Sequence, residues 1–193
     1  MLTDGDLRVR PLRRRDEHAW WGLRDANRDW LAPWEATEPA GTAERPPSFR
    51  RMVAREGRAF RRREAIAMAI EYYGDLVGRV VLSDAIWGAA RTASLGYWIG
   101  ERHAGRGLTP RAVAMLAEYG FAWGLYRLEI ATQAENVGSV RVAEKLGFRD
   151  EGVRRRHLFV AGEWRDHRVF ALTADERRLG EPWQRGAQPG RGA

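Results

Sequence analysis

The pattern of apolar and polar positions predicts seven β-strands separated by turns and helices. Residues 7–12 alternate apolar and charged side chains, which is typical of a strand with one buried face. The other six predicted strands are short runs of aliphatic and aromatic residues bounded by turn residues. They cover residues 66–73, 76–82, 95–100, 127–133, 153–160 and 164–172. Gly74 and Asp75 suit a tight hairpin between the first two of these runs.

Apolar residues at helical spacing predict about four helices. The helix after strand 95–100 has the clearest apolar stripe, formed by Val113, Leu116, Ala117, Gly120 and Phe121. Thr109 is predicted to cap that helix, with Pro110 in its first turn. The other helices are predicted at residues 16–28, 49–63 and 136–146, with a loop carrying Trp30 and Trp34 at 30–35, a connector at 36–47 and an irregular segment at 84–92.

Length and composition predict one domain at residues 1–178. A chain of 193 residues has the length of a single ordinary domain, and 44% hydrophobic residues can fill a core of that size. Residues 179–193 are rich in glycine and proline and poor in apolar residues, so we predict a disordered tail there. Because no apolar run is long enough to cross a membrane and the first residues lack a secretory pattern, we expect a soluble, cytoplasmic protein without a membrane partner.

The chain is strongly basic, with a formal net charge of +7, which suggests a nucleic acid or another anion as its partner. Of the 33 lysine and arginine residues only Lys145 is a lysine, which indicates a coding preference for arginine. The arginine clusters at residues 13–15, 61–63 and 154–156 are interleaved with acidic residues rather than gathered in one tail. Direct nucleic-acid binding is therefore the weaker interpretation, and we expect small anionic ligands.

Candidate chemistry is concentrated in residues 94–148, which are predicted to form a strand, a glycine-rich turn, a helix, a strand and a helix. In the turn, Gly105 and Gly107 would let backbone N–H groups approach a phosphate at the start of the next helix. It is not a Walker loop, because no Gly-Lys-Ser/Thr follows, nor a dinucleotide fingerprint, because Pro110 stands in place of the third glycine. The alternative is a tight turn without a ligand.

Asn136 and Ser139 form a second candidate site at the start of the last helix in this stretch. Residues three apart share a helix face, so both side chains can point at one ligand. Asparagine is also a preferred capping residue, and a purely structural cap is the alternative. Both candidate sites follow the carboxyl end of a strand, where open α/β sheets bind ligands. The combination favours a shared ligand over two unrelated turns.

The ordered set of motifs resembles the GNAT acetyltransferase superfamily and, within it, the ribosomal-protein N-terminal acetyltransferases of the Rim type. The resemblance extends over residues 7–172. It is carried by the strand at 95–100, Arg102-x-x-Gly105-x-Gly107, Arg127-Leu128-Glu129, Glu135-Asn136-x-x-Ser139, and Lys145-Leu146-Gly147-Phe148 followed by Glu151-Gly152. Trp164-Arg165-Asp166-His167 and Pro33-Trp34-Glu35 are similar to the branch that acts on alanine-starting ribosomal proteins.

This resemblance implies an α/β (α+β) fold with a mixed, mostly antiparallel sheet of about seven strands, flanked by about four helices. The fourth and fifth strands would splay apart and hold acetyl-CoA between them, with its pyrophosphate on the glycine turn and its pantetheine along the strand at 95–100. No metal is expected. The implied cofactor-binding residues are Trp98, Ile99, Gly100, Arg102, Gly105, Arg106, Gly107, Leu108, Thr109, Asn136 and Ser139.

The resemblance also implies direct transfer of the acetyl group to an amine. The chain has no cysteine, which excludes disulfides, a thiolate nucleophile and Cys-ligated zinc and agrees with a route without an acyl-enzyme. A backbone N–H of strand 95–100 would stabilise the oxyanion, and Ser139 would assist departure of the thiolate. Residues 155–159 contain no acid where related enzymes carry one, so Glu35 and His157 are the candidate bases, with water as the alternative.

We predict an acetyl-CoA-dependent N-acetyltransferase that acts on the N-terminal amine of a protein or peptide, with a ribosomal protein as the expected acceptor. An α-amino group, with a pKa of about 7.7–8.0, is partly neutral at pH 7 and needs only a modest base. One alternative is acetylation of a small amine such as an antibiotic or a polyamine. Another is a non-catalytic domain that binds acyl-CoA or nucleic acid. Monomer and homodimer are both compatible with the sequence.

Overall fold

A computed structural model describes residues 1–39 and 47–177, which form one sheet with helices on both faces. The eight strands described are β1 (Leu2–Asp4), β2 (Leu7–Arg10), β3 (Ile66–Tyr72), β4 (Asp75–Ile86), β5 (Thr92–Ile99), β6 (Arg127–Thr132), β7 (Arg149–Val160) and β8 (Glu163–Thr173). The five α-helices are α1 (Glu17–Ala26), α2 (Arg28–Leu31), α3 (Phe49–Arg61), α4 (Leu108–Ala122) and α5 (Val137–Lys145). The tail predicted at 179–193 lies outside the described residues, as does most of the connector predicted at 36–47. No helix in the described ranges has both the length and the apolarity needed to span a bilayer.

The strands lie in the order β1-β2-β3-β4-β5-β6-β8-β7, and every neighbouring pair is antiparallel except β5 and β6. The register of this parallel pair ends where Ser94 lies opposite Glu129. Beyond that point β5 stays paired with β4 as far as Ile99, and β6 stays paired with β8 as far as Thr132. The two central strands therefore diverge, which confirms the predicted splay between the strands at 95–100 and 127–133.

The two faces of the sheet are covered by different helices. The predicted apolar stripe of α4 is buried and packs on the face that carries Leu82. Gly120 allows this close approach, because a Cβ at that position would lie 2.6 Å from a methyl group of Leu82. On the other face, Trp20 of α1 and Phe49 of α3 pack against Ala69. Burial is nearly continuous along β3, whose two faces are both covered, whereas β5 and β6 alternate buried and more exposed positions.

The structure confirms the predicted mixed, mostly antiparallel sheet, and the described residues contain one strand and one helix more than the approximate numbers predicted. β1 was missed because a strand of three residues is too short to show an alternating pattern. α2 has only four residues, so Trp30 and Leu31 lie in a helical turn rather than in the predicted loop. β4 extends to Ile86 and β5 begins at Thr92, so the irregular segment shrinks to residues 87–91.

The predicted cap of the helix after β5 is also wrong. α4 begins at Leu108, and its N-cap is Gly107, with a left-handed φ of 74° and no side-chain cap. Thr109 and Pro110 therefore occupy the first turn. Pro110 is tolerated there because the first N–H groups of a helix have no intrahelical partner.

A buried ion network joins the sheet to the start of α1. The guanidinium of Arg10, on β2, donates to both carboxylate oxygens of Asp16, at 2.7 and 3.1 Å, and to Glu71 Oε2 at 2.6 Å. Burial tends to raise the pKa of Asp16, but hydrogen bonds from Arg10 and from the backbone N–H of Arg13 outweigh burial and lower it. The network fixes α1 against the sheet.

We expect Arg10→Met to lower the free energy of unfolding by about 3–5 kcal/mol, because two carboxylates would stay buried without their cation. The matched control is Arg8→Met. Arg8 contacts Glu71 at 3.3 Å, but its side chain is 54% exposed, so the loss should be below about 1 kcal/mol. Urea denaturation followed by tryptophan fluorescence measures both changes, and equal losses would contradict the prediction.

The same network predicts how stability depends on pH. The pKa of Asp16 is lower in the folded chain than its ordinary value of 3.8. Its contribution to stability is therefore present above that value and is lost as the pH falls through the folded pKa. The stability gap between wild type and Arg10→Met should narrow in that acidic range.

Candidate active site

A cleft of about 830 Å³ opens where β5 and β6 diverge. Its walls come from the end of β5, the glycine turn, the first turns of α4 and α5, and the end of β6. α4 and α5 both begin at this edge of the sheet because β5 and β6 run parallel. Of the predicted cofactor-binding residues, those that line the cleft are Trp98, Ile99, Gly105, Gly107, Leu108, Thr109, Asn136 and Ser139.

The turn between β5 and α4 has the geometry of an anion site. Gly105 and Gly107 have φ angles of +72° and +74°, a left-handed conformation that favours glycine. Among the described residues, no atom lies within 4 Å of the place where either Cβ would be. Since α4 starts without a side-chain cap, its first N–H groups and the positive end of its dipole remain directed at this turn. Arg102 and Arg106 lie on the same turn with exposed side chains, outside the cleft wall.

Two hydrogen bonds fix the backbone just before this turn. The N–H of Gly100 donates to the carbonyl oxygen of Val77 at 2.8 Å, so this amide points towards β4. The N–H of Glu101 donates to Asn27 Oδ1 at 2.7 Å, which ties the end of α1 to the turn. Asn27 is 8% exposed and was not identified from the sequence. Because of these contacts, the turn is held in place by α1 and β4.

His103 places an unpaired polar atom beside the turn. Its Nδ1 is buried and has no hydrogen-bond partner within residues 1–39 and 47–177. Burial lowers the pKa of His103, and Arg106 and Arg102 lower it further against the opposing effect of Asp75. A neutral imidazole that lines the cleft next to an uncapped helix end suits a polar, anionic ligand. The residues present therefore fit the pyrophosphate and pantetheine of acetyl-CoA.

The start of α5 brings Asn136 and Ser139 to the other wall of the cleft. Asn136 Oδ1 accepts a hydrogen bond from the N–H of Ser139 at 3.0 Å, so the capping role left open by the sequence is present. The hydroxyl of Ser139 lies 2.9 Å from the phenol oxygen of Tyr97 on β5. Sequence analysis missed Tyr97, although alternation along the strand places Leu95, Tyr97 and Ile99 on one face.

Two tryptophans form the rim of the cleft on the side away from α4. Trp30 donates from Nε1 to the carbonyl oxygen of Ile99 at 3.0 Å, and Trp34 follows in the loop after α2. That loop is fastened to the sheet at two points. Gln133 donates to its backbone at 3.1 Å, and the N–H of Thr37 donates to the end of β7 at 2.9 Å. The rim is thus held over the carboxyl end of β6.

The two predicted bases, Glu35 and His157, do not line the cleft. Glu35 accepts two hydrogen bonds of 2.7 Å from Arg24, and its side chain is 43% exposed. The ring of His157 packs edge-on against that of His167, with centroids 5.7 Å apart. His167 is 3% exposed and does line the cleft. Of the three predicted catalytic residues, the structure brings only Ser139 to the cleft wall.

The environment of His157 favours its neutral form. Burial lowers the pKa of His157, and Arg154 and His167 lower it further against the opposing charge of Glu129. Sequence analysis named His167 only within the motif at 164–167 and did not select it as a site residue, because the local sequence does not show that this position faces the cleft. Among the described residues, no group of three or more His, Asp and Glu is placed to hold a metal ion.

Known proteins share this fold over nearly the whole chain. The acetyltransferase (GNAT) domain matches residues 6–149. Probable N-acetyltransferase YjcK of Bacillus subtilis (strain 168) is 31% identical over 181 residues, which are 89% of this chain and 96% of the relative. The ribosomal protein uS5-alanine N-acetyltransferase of Escherichia coli (strain K12) is 28% identical over 91% of each chain. The structure of Mycobacterium smegmatis RimJ in complex with CoA-disulfide is 33% identical, with a TM-score of 0.83 over 93% of this chain and 86% of that chain.

The chain therefore belongs to the GNAT acetyltransferase family, which confirms the family predicted from the motifs. It is an acetyltransferase, and acetyl-CoA is its cosubstrate. The splayed strands, the glycine turn and the two helix starts are the parts of this fold that meet at the cleft.

We expect Gly107→Asp to weaken CoA binding at least tenfold, because a negative charge would face the pyrophosphate at the start of α4. Gly107→Asn is the matched control. Both side chains have nearly the same shape and tolerate a left-handed φ, so they differ mainly in charge. Isothermal titration with CoA should show a much smaller loss for Asn, whereas titration with pantetheine should not separate the two variants. Equal CoA affinities would remove the turn from the site.

Proposed function

We propose that this acetyltransferase modifies the N-terminal amine of a protein, with a ribosomal protein as its acceptor. The observation that carries the proposal is the composition of the cleft wall. Within the described residues, Glu135 is the only carboxylate that lines the cleft. A polyamine has several positive charges at neutral pH and is best held by several carboxylates, since each buried cation needs a partner. A single α-amine makes no such demand.

The acceptor side of the cleft also suits the first residues of a peptide. Trp30, Trp34, Leu158 and His167 form what we call the acceptor rim. Aromatic and aliphatic groups there offer apolar contact to a small side chain, while His167 offers a hydrogen-bonding nitrogen. One relative supports a protein acceptor, since its name gives the alanine of ribosomal protein uS5 as what it acetylates.

With Glu135 as the single carboxylate on the described cleft wall, the site suits an α-amine better than a lysine. The attacking nitrogen must be neutral, and an α-amino group with a pKa of about 7.7–8.0 is partly neutral at pH 7, whereas a lysine near ~10.4 is not. In this proposal the proton of the amine leaves through solvent. Neither His157 nor Glu35 lines the cleft, so neither can take the proton directly from the amine. His157 could receive the proton only through His167, and Glu35 could receive it only through water.

The donor side supplies stabilisation for the charges that develop. The nitrogen attacks the thioester carbon, a C–N bond forms, and the C–S bond breaks with its electron pair passing to sulfur. In our proposal a backbone N–H on the free edge of β5 faces the carbonyl oxygen, and Ser139 donates a hydrogen bond to the departing sulfur. The amine loses one proton and the CoA thiolate gains one, so the reaction is balanced.

A panel of three acceptors tests the proposal. The first is a peptide with a free N-terminal alanine, the second is the same peptide with a blocked N-terminus and one lysine, and the third is spermidine. Release of CoA thiol is a clean readout because the chain itself has no cysteine. We expect the free N-terminus to give a kcat/KM at least tenfold above the other two, rising with pH through about 8 as the amine loses its proton.

The other outcomes of the panel are decisive. Preference for spermidine would replace the protein acceptor by a small amine. Binding of CoA without thiol release from any acceptor would favour a non-catalytic acyl-CoA-binding domain. Retention on RNA at physiological salt, together with no turnover, would favour the nucleic-acid alternative.

We expect Trp34→Ala to raise the KM for the peptide roughly five- to tenfold, because it removes apolar contact from the acceptor rim. The affinity for CoA should change less than twofold. Trp21→Ala is the matched control, because Trp21 is 41% exposed against 37% for Trp34 but does not line the cleft. Steady-state kinetics with the alanine peptide measure both variants, and equal KM values would place the acceptor elsewhere.

A further inference from the structure

A contact between two side chains bridges the two arms of the cleft. Tyr97 lies on β5 and Ser139 lies at the start of α5, on opposite sides of the divergence. The phenol oxygen is 2.9 Å from Ser139 Oγ and 3.2 Å from the carbonyl oxygen of Ser139. The first distance is within the usual range for an O–H···O hydrogen bond, and the second is slightly longer. Tyr97 is therefore a hydrogen-bond partner of the Ser139 hydroxyl, which the proposed mechanism uses.

Counting protons shows that this contact has two arrangements. The phenol has one proton, and both the carbonyl oxygen and the hydroxyl of Ser139 can accept it. If the carbonyl accepts it, the 2.9 Å contact is a hydrogen bond only when the proton of Ser139 points back at the phenol oxygen. If the hydroxyl accepts it, the proton of Ser139 is free to point into the cleft. Only the second arrangement keeps the hydrogen bond between the two side chains while Ser139 donates to a ligand.

The phenol acts as a donor and not as an acid. Burial raises the pKa of Tyr97 to about 12, against a smaller opposing effect of the hydrogen bond with Ser139. The phenol therefore stays protonated at any pH at which the enzyme works. Negative charge on the departing sulfur strengthens the bond from Ser139, and that bond in turn strengthens the one from Tyr97 to Ser139.

We propose that Tyr97 is a positioning residue that turns the hydroxyl proton of Ser139 towards the leaving sulfur of CoA. The proposal rests on the function proposed above for Ser139 and adds the residue that sets its direction. No proton leaves Tyr97 in the overall reaction. Its hydrogen bond switches from the carbonyl oxygen to the hydroxyl of Ser139 as the C–S bond breaks, so it is stronger in the transition state than in the ground state.

A purely structural role for the pair gives different expectations. If Tyr97 only clamps β5 to α5, loss of its hydroxyl should lower stability and CoA affinity, whatever residue stands at position 139. If Tyr97 positions Ser139, loss of the Tyr97 hydroxyl should lower kcat, and it should do so only in variants that retain Ser139. A double-mutant cycle separates the two roles.

The first test uses Tyr97→Phe, Ser139→Ala and the double variant with the fastest acceptor of the panel. We expect Tyr97→Phe to lower kcat about tenfold, less than a direct general acid contributes, with the KM for acetyl-CoA changed less than twofold. The double variant should match Ser139→Ala. Tyr119→Phe is the control, because it removes a hydroxyl from a half-buried tyrosine at the far end of α4, and it should leave kcat unchanged. The proposal would be overturned if the double variant lost kcat by the product of the two single losses. It would also be overturned if Tyr97→Phe kept the kcat of the wild type.

The second test needs no acceptor, so it holds even if the acceptor proposal fails. Because the chain has no cysteine, the thiolate absorbance of its complex with CoA comes from CoA alone. We expect the pKa of the bound CoA thiol to lie below the ordinary ~8.5 and to rise by about 1 in both Tyr97→Phe and Ser139→Ala. An effect of Ser139→Ala without one of Tyr97→Phe would overturn the inference about Tyr97 alone. No effect of either variant would remove Ser139 from the leaving-group site as well.

Discussion

The structure depends on the point at which backbone pairing between β5 and β6 stops. Each strand keeps its outer antiparallel partner well beyond Ser94, so the two ladders pull the central strands apart. Gly78 helps β4 hold β5 closely, because a Cβ at that position would lie 2.4 Å from the carbonyl oxygen of Trp98. Strand edges present N–H and C=O groups that need partners, and pantetheine carries amides that match them. The cleft is thus a product of strand pairing and not a gap in packing.

The same divergence places two helix starts side by side, and they differ in one respect. α5 is capped by Asn136, which satisfies the N–H of Ser139. α4 has no side-chain cap and begins at a glycine with a left-handed backbone. Unsatisfied N–H groups and the helix dipole favour an anion at α4, whereas α5 has already met part of that need within the protein. We therefore propose that the charged part of the cosubstrate lies at α4 and its thioester end at the start of α5.

Local patterns in the sequence were enough to predict the strand, the turn and the helix starts that form the cosubstrate cleft. The strand before the turn, the stripe of α4 and the motif with Asn136 and Ser139 lie within one stretch of 55 residues, at 94–148. β1 and α2 were missed because three or four residues cannot show a period. Tyr97 was missed for a different reason. Its role comes from a contact with a residue 42 positions away, across a cleft whose width no local pattern encodes.

Two arginines have internal roles that the sequence does not reveal. Arg10 is buried between Asp16 and Glu71, and Arg79 pairs with Glu56 at 2.6 Å under α3. These guanidinium groups serve as internal partners of carboxylates and are not part of a basic face.

The acceptor rim could not be predicted in this way, since its residues are far apart in sequence and come together only in the folded chain. Trp30 and Trp34 follow α1, whose position is set by the Arg10 network and by the bond from Glu101 to Asn27. His167 comes from β8. The donor half is built on strand register and helix starts, whereas the loop after α2 is held by a few hydrogen bonds such as that of Thr37. In our proposal, changes in the acceptor rim would therefore alter the choice of amine without disturbing the strand pairing that creates the cosubstrate cleft.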